Sequence, residues 1–392
     1  MTTYVLGGAQ TDFARNIAKE GLEVSDLVRE ATLATLAAAD VETVDTIHVG
    51  NAFGQLYNGQ GHLGAMPAQV VPTLRGVPAM RHEAACASGG IAVLAAMAEI
   101  EAGRYDVALV LGVEQEKSVP GDEAARILGA ASWVGHEGDA DFVWPHQFSL
   151  LAEEYDKRYG LDPLFLKGIS DLNYRNARVN PFAQTRTWST ASDDVVDGWV
   201  RRYDCSQITD GAAGVVVAGR AFAEEWARRT GGPVAEITGW GHRTVGLALS
   251  DKLAVREEYV LPHVRRTITD AFARAGIADV WELDGIETHD CFTPSEYMAI
   301  DHFGITAPGE SWKAVESGIL EKDGAIPVNA SGGLIGLGHP VGATGVRMLL
   351  DATRQVTGSA GETQVEGART YGTLNIGGST ATTVSFVVRA VA

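Results

Sequence analysis

Cysteine is scarce in this chain, with three residues among 392, at positions 86, 205 and 291. An odd, widely spaced set offers neither a disulfide framework nor the paired spacing of a zinc site, so no metal is expected. The same usage fits a reducing cytosol, and a cytoplasmic location is expected. Long apolar runs are missing too, and none approaches the roughly 18 residues of a membrane-spanning helix. The amino terminus, Met1-Thr2-Thr3-Tyr4-Val5-Leu6, lacks the basic-then-apolar layout of a signal segment. Positive charge is short: 31 Lys and Arg against 50 Asp and Glu leave a formal net charge of −19. That balance argues against nucleic acid or an anionic membrane as main partner, although a small anionic ligand needs only a local basic patch. Neither a Gly-x-x-x-x-Gly-Lys-Ser/Thr phosphate loop nor a strand followed by Gly-x-Gly-x-x-Gly is found.

What is present reads as a layered α/β fold. Strand patterns at Tyr4–Gly8, Thr46–Val49 and Asp106–Val113 alternate with helical ones at Ser25–Ala39, with Ser25 as cap, and Gly89–Ala102. From about 115 to 204 the grammar changes to Trp, charged residues and Asn/Pro turns around a helix at Ser149–Tyr159, which suggests an inserted loop domain. Strand grammar resumes at Asp210–Val217. The second half then repeats the first. Val44–Phe53 aligns with Leu283–Phe292, Ala87-Ser88-Gly89-Gly90 with Ala330-Ser331-Gly332-Gly333, each turn opening a helix, and the closing strand Val107–Leu111 with Thr382–Val388. The expected division is residues 1–114 and 205–250 as a first half, 115–204 as the insert, and 251–392 as a second half.

The most informative residue is Cys86, in His82-Glu83-Ala84-Ala85-Cys86-Ala87-Ser88-Gly89-Gly90 ahead of a helix. Unpaired N–H groups at a helix start favour a thiolate, so its pKa is expected below the free value of about 8.5. A buried structural thiol is the plainer reading of such a residue taken alone. Cys205, with no motif around it, reads as structural.

Three further segments bear on Cys86: His289-Asp290-Cys291-Phe292, the run from Asn329 through Gly338-His339-Pro340 to Gly345, and Asn375-Ile376-Gly377-Gly378-Ser379. Together, and with Asn180-Pro181-Phe182-Ala183-Gln184, they resemble the thiolase superfamily, nearest the sterol-carrier-protein-2 type marked by its His-Asp-Cys-Phe segment. The resemblance runs from the first strand to the last. It implies a thiolase fold: two duplicated βαβαβαββ halves layered α-β-α-β-α, each half a mixed five-stranded sheet, plus the inserted loop domain. It implies acyl transfer from coenzyme A thioesters, with Cys86 as nucleophile and no covalently bound cofactor. Cys86 and Gly377 would supply backbone N–H groups to a tetrahedral oxygen, and His339, with a water held by His289, would bind the thioester oxygen. The resemblance further implies a homodimer or dimer of dimers, and some relatives associate with a small OB-fold partner.

One position departs from the pattern. Most thiolases carry a second cysteine in the last loop, where this chain has Asn375, which cannot serve as a base near neutral pH. Three accounts stand open: Cys291 moves the proton; no Claisen base is needed, the reaction being simple acyl transfer or decarboxylative condensation; or the chain is a non-catalytic acyl-CoA-binding subunit. Arg175, Arg178 and Arg186 form a local basic excess that would meet the phosphates of coenzyme A, or else are solvated surface groups. Trp133, Phe142, Trp144, Phe148 and Leu150 would line an acyl tunnel or form the insert's own small core.

Overall fold

A computed structural model describes residues 2–188 and 192–391; Met1 and Ala392, the outer ends of the two predicted halves, lie outside them. The strands are β1 (Thr3–Gln10), β2 (Thr46–Gly50), β3 (Ala79–His82), β4 (Val107–Glu114), β5 (Val195–Asp197), β6 (Val200–Arg201), β7 (Gly211–Gly219), β8 (Ala235–Thr244), β9 (Gly285–Thr288), β10 (Thr370–Gly377) and β11 (Thr382–Ala390). All but the β5–β6 hairpin join one nine-stranded sheet in the order β3-β2-β4-β7-β1-β8-β11-β10-β9.

That order holds the duplication. Outward from β1 come β7, β4, β2 and β3; outward from β8 come β11, β10 and β9. β2 runs parallel to β4 as β9 does to β10, and β4–β7 is antiparallel as is β10–β11. Val328 makes a parallel bridge to Ile286 where the first half has β3. By topology the Val107 strand therefore corresponds to β10, not to Thr382–Val388 as its sequence suggested. β8 pairs along its length with β11, so it extends the sheet on the side of the second half. Instead of two separate five-stranded sheets, the halves join edge to edge through Thr3–Val5 of β1 and Ala235–Ile237 of β8.

Helices complete an α-β-α-β-α stack. The helix Val24–Ala38 covers β1, β7 and β4 on one outer face, and Pro262–Ala275 covers β8 and β11 on the other. Between the halves lie Ser88–Glu101 and Thr344–Val356, packed on each other. These two approach closely because small residues face one another: a Cβ on Gly89 would lie 2.8 Å from the Val346 nitrogen and 2.9 Å from the Gly342 oxygen. Val24–Ala38 starts from Glu23, whose side chain and that of Asp26 cap it reciprocally, rather than from Ser25. The second glycine-rich turn opens no helix at once. Gly332 and Gly333 take φ of 103° and 60°, a π-turn follows over Gly333–Leu337, and the helix begins only at Thr344.

Among the described residues, the insert shares its apolar core with the second half rather than forming one of its own. Its helices Val143–Tyr159 and Pro163–Ala177 share one apolar cluster with the second half, including Leu151, Ile169, Ile268 and Phe303. Phe148 stacks on Phe292 with ring centres 4.7 Å apart, and the Tyr155 hydroxyl donates to Asp301 at 3.0 Å. The insert is thereby fixed over the His-Asp-Cys-Phe segment.

One buried cation ties the central helix to β9. Arg347 Nη1 donates to Glu287 Oε2 at 2.7 Å, to Asp351 Oδ2 at 3.0 Å and to Ser331 Oγ at 3.2 Å. Replacing it with Leu strands the buried Glu287 carboxylate, and breaking such a pair costs about 3–5 kcal/mol. Arg347→Leu is expected to lower the unfolding free energy in urea by that order; a change under about 1 kcal/mol would contradict the assignment.

Candidate active site

Cys86 lies on a tight turn between β3 and the helix that starts at Ser88. Ala85 just before it takes φ of 51°, a left-handed conformation that costs a non-glycine residue on the order of 1–3 kcal/mol. Ser88 holds the turn, its hydroxyl accepting from Ala84 N at 2.9 Å and donating to Ala85 O at 2.6 Å. The backbone N–H groups of Gly378 and of Cys86 itself act on the sulfur to lower its pKa. These dipoles favour a thiolate, yet burial, reinforced by the Glu116 carboxyl, pushes the thiol up to about 12. The lowered pKa expected from the helix start is therefore overturned: desolvation in an apolar cavity outweighs the backbone dipoles.

Two imidazoles face the sulfur, His289 from the His-Asp-Cys-Phe segment and His339 from the Gly-His-Pro run. Cys86, His289 and His339 each place one side-chain sulfur or nitrogen atom within 4.8 Å of the others. Burial holds His339 down to about 3 and His289 well below the usual range, so both rings are neutral at physiological pH. Their partners assign opposite tautomers. The Thr344 hydroxyl donates to Pro340 O at 3.1 Å, so it accepts from His339 Nδ1–H at 2.7 Å, and His339 Nε2 keeps a free lone pair. The Asn375 amide donates to Cys86 O at 3.0 Å and faces His289 Nδ1 at 3.4 Å, which leaves the proton on His289 Nε2. A metal would need a lone pair from each ring. With His289 as donor and His339 as acceptor, the trio fits acid–base chemistry better than ligation.

The surrounding elements account for these positions. Asp290 accepts from Leu334 N at 2.6 Å, Ile335 N at 3.1 Å and Asn173 Nδ2 at 2.9 Å, so a carboxylate anchors the glycine-rich segment that carries His339. Val341 N donates to Glu116 at 2.9 Å, and Thr209 Oγ1 accepts from His339 N at 3.0 Å. Gly377 closes β10 against the Cys86 turn, where an added Cβ would stand 2.2 Å from Ala84 O. The next residue, Gly378 at φ 61°, lines the same cavity, and its backbone dipole acts to lower the Cys86 pKa.

An apolar cavity of about 140 Å³ adjoins Cys86. Cys291 and His339 line it, with Phe142, Trp144 and Phe148 of the insert; Trp133 and Leu150 do not, and are exposed. Cys291 is buried, its thiol raised well above the usual range first by burial and then by the nearby Cys86. Cys205, which sequence reading left as structural, also lines the cavity, its thiol donating to Arg201 O at 3.3 Å. Glu116, which no motif had flagged, is part of the same wall. The three arginines are elsewhere. Arg175 pairs with Glu321 at 2.5 Å, Arg186 with Asp12 at 2.8 Å, and Arg178 and Arg186 edge a separate groove with Phe182 and Arg354. None of them lines the Cys86 cavity.

Comparison with known proteins gives consistent matches. The model of the thiolase N-terminal domain matches residues 3–162, and the thiolase C-terminal domain-like model matches 249–390. An acetyl-CoA acetyltransferase of Methanothermobacter thermautotrophicus is 32% identical over 386 residues, 96% of each chain. Human sterol carrier protein 2 is 26% identical over 402 residues, covering 97% of this chain and 71% of that protein. Among solved structures, the Ltp2-ChsH2(DUF35) aldolase superposes with a TM-score of 0.80 at 20% identity, covering 99% of this chain and 98% of that one. An acetyl-CoA acetyltransferase from Syntrophomonas wolfei gives a TM-score of 0.69 at 19% identity, with the same coverage. At these identities the superpositions establish the fold alone.

The raised thiol makes a measurable prediction. Alkylation needs the thiolate, and a thiol near 12 is almost wholly protonated at neutral pH. Modification of Cys86 by iodoacetamide, read by mass spectrometry of its peptide, is expected to climb about tenfold per pH unit from neutrality to pH 10 without levelling. A plateau below about pH 8.5 would show instead a thiolate stabilised by the helix start.

Proposed function

The chain belongs to the thiolase family, and on that premise we propose that it cleaves 3-ketoacyl-coenzyme A thiolytically, or runs the reverse Claisen condensation, through an acyl-Cys86 intermediate. The observation that carries this reading is the meeting of a thiol, an accepting imidazole and a donating imidazole within 4.8 Å. His339 Nε2 takes the thiol proton as the sulfur attacks the keto carbon. Because thiol and imidazole are both neutral at rest, this transfer accompanies attack rather than preceding it. Oxygen charge falls on the N–H groups of Cys86 and the Gly377–Gly378 turn. Cleavage of the bond between the α-carbon and the keto carbon leaves a thioester enolate, held by N–H groups of His289 and the now protonated His339. Cys291 supplies the proton to that α-carbon, and the thiol of incoming coenzyme A returns one as it attacks acyl-Cys86 and sends the sulfur's proton home from His339.

Asn375 has a different part in this scheme from that of a proton carrier. Its amide bridges the Cys86 carbonyl and His289, which fixes the donor tautomer of that ring. Coenzyme A enters as co-substrate. Arg175, Arg178 and Arg186 lie away from the cavity, which favours their reading as solvated surface groups. The proposed assembly is a homodimer or dimer of dimers, and the aldolase with its DUF35 component supports a partner subunit.

Two experiments separate this from the alternatives. Incubation with 3-ketoacyl-coenzyme A substrates is expected to leave an acyl adduct on Cys86; an unmodified protein with several chain lengths would remove the nucleophile and favour a binding subunit. Cys291→Ala is expected to acylate still, while exchange of acetyl α-protons with solvent falls by about a hundredfold or more. Undiminished exchange would eliminate Cys291, and condensation with malonyl thioesters alone would favour the decarboxylative reading.

A further inference from the structure

Glu116 takes no part in the proposed acyl transfer, yet its carboxyl lines the same cavity as Cys86 at 1% exposure. It lies two residues past the end of β4, at the start of the insert, and lines the cavity. Its Oε1 accepts from Val341 N at 2.9 Å and its Oε2 from Thr209 N at 3.3 Å. Two such bonds leave acceptor capacity on both oxygens. The remaining wall is largely hydrocarbon, formed by Phe53, Leu128, Phe142, Trp144, Phe148 and Val341. Among the described residues Glu116 is the only acidic side chain in that wall.

A carboxyl in such a wall carries a desolvation cost that two backbone bonds offset in part. Burial, with Glu114 beside it, raises its pKa well above the carboxylate range, so the group readily carries a proton and can donate as well as accept. A plain hydrocarbon chain threading past would meet neither capacity. An alcohol on that chain would meet both, because a hydroxyl is at once donor and acceptor. Few polar groups in an apolar pocket usually fix orientation and choice of ligand.

We propose that Glu116 is a specificity residue that selects acyl thioesters bearing a hydroxyl on the acyl chain, a few carbons beyond the carbon attacked by Cys86, over unsubstituted chains. The selection rests on the acyl-coenzyme A reading above. A site that hydrogen-bonds a substrate hydroxyl disfavours the analogue lacking it far more than an apolar pocket distinguishes one methylene.

The test compares 3-ketohexanoyl-coenzyme A with analogues hydroxylated at C4, C5 or C6. The wild type is expected to favour at least one hydroxylated analogue about tenfold or more in kcat/KM. Glu116→Leu is expected to bring that ratio to one or below, and Glu116→Gln, still donor and acceptor, to keep most of it. If the Leu variant does not fold, Glu116→Met, closer in length, takes its place. A merely structural Glu116 would move all four substrates together, so a ratio unchanged in Leu or Met would overturn the proposal. So would a wild type without preference for any of the three alcohols. Calorimetric binding of saturated acyl- and hydroxyacyl-coenzyme A reads the same preference without turnover. Preference in binding with no adduct on Cys86 would leave Glu116 standing and the acyl-transfer reading failed; an adduct with no preference would do the reverse.

Discussion

Backbone that has no ladder to bond to is held here by buried carboxylates. The run from Asn329 to Gly345 is irregular at its core, and its free N–H groups need acceptors that water cannot supply. Asp290 takes those of Leu334 and Ile335, Glu287 that of Ser331, and Glu116 that of Val341. Glu114 does the same for Ala52 and Phe53 on the neighbouring loop, and Asp210 for Ile17, Glu116 and Lys117. Each of these acids is nearly or wholly buried. Their desolvation is offset by the amides they hold, and losing one would free a loop that positions His339, Val341 or the Cys86 turn.

The same dryness sets the chemistry. The titratable groups at and around the cavity are pushed toward their neutral forms: Cys86, Cys205, Cys291 and Glu116 upward, His289 and His339 downward. The site is therefore not a stored thiolate–imidazolium pair. Its reactivity lies in orientation, with one imidazole tautomer accepting, the other donating, and a thiol between them. Thr344 and Asn375, which touch the outer nitrogens, decide which ring does which.

Much of this was legible in the chain. Cys86 before a small-residue helix, the His-Asp-Cys-Phe segment and the Gly-His-Pro run each mark backbone that must come close to something, and they do converge. Local signals failed where distant packing overrode them. The helix start at Cys86 suggested an acidic thiol, but the insert and the second half set the sulfur in a largely apolar cavity, and Cys86 itself is partly buried. Arg175, Arg178 and Arg186 read in the chain as a phosphate patch or as surface groups, and only the fold shows that Arg175 and Arg186 pair with Glu321 and Asp12 from distant segments. Glu116 drew no notice because a glutamate beside Lys117 in a loop looks like any solvated residue.

The sequence by itself determined the layered α/β grammar, the duplication and the signature residues, because periodicity and glycine placement are local properties. Which strand matches which, on which side of the sheet β8 lies, and that the insert shares the second half's core came only from strand pairing and side-chain burial. The ionisation of the cavity belongs to the tertiary structure as well. A pKa responds to water excluded and charges brought near, and those are supplied by residues hundreds of positions apart.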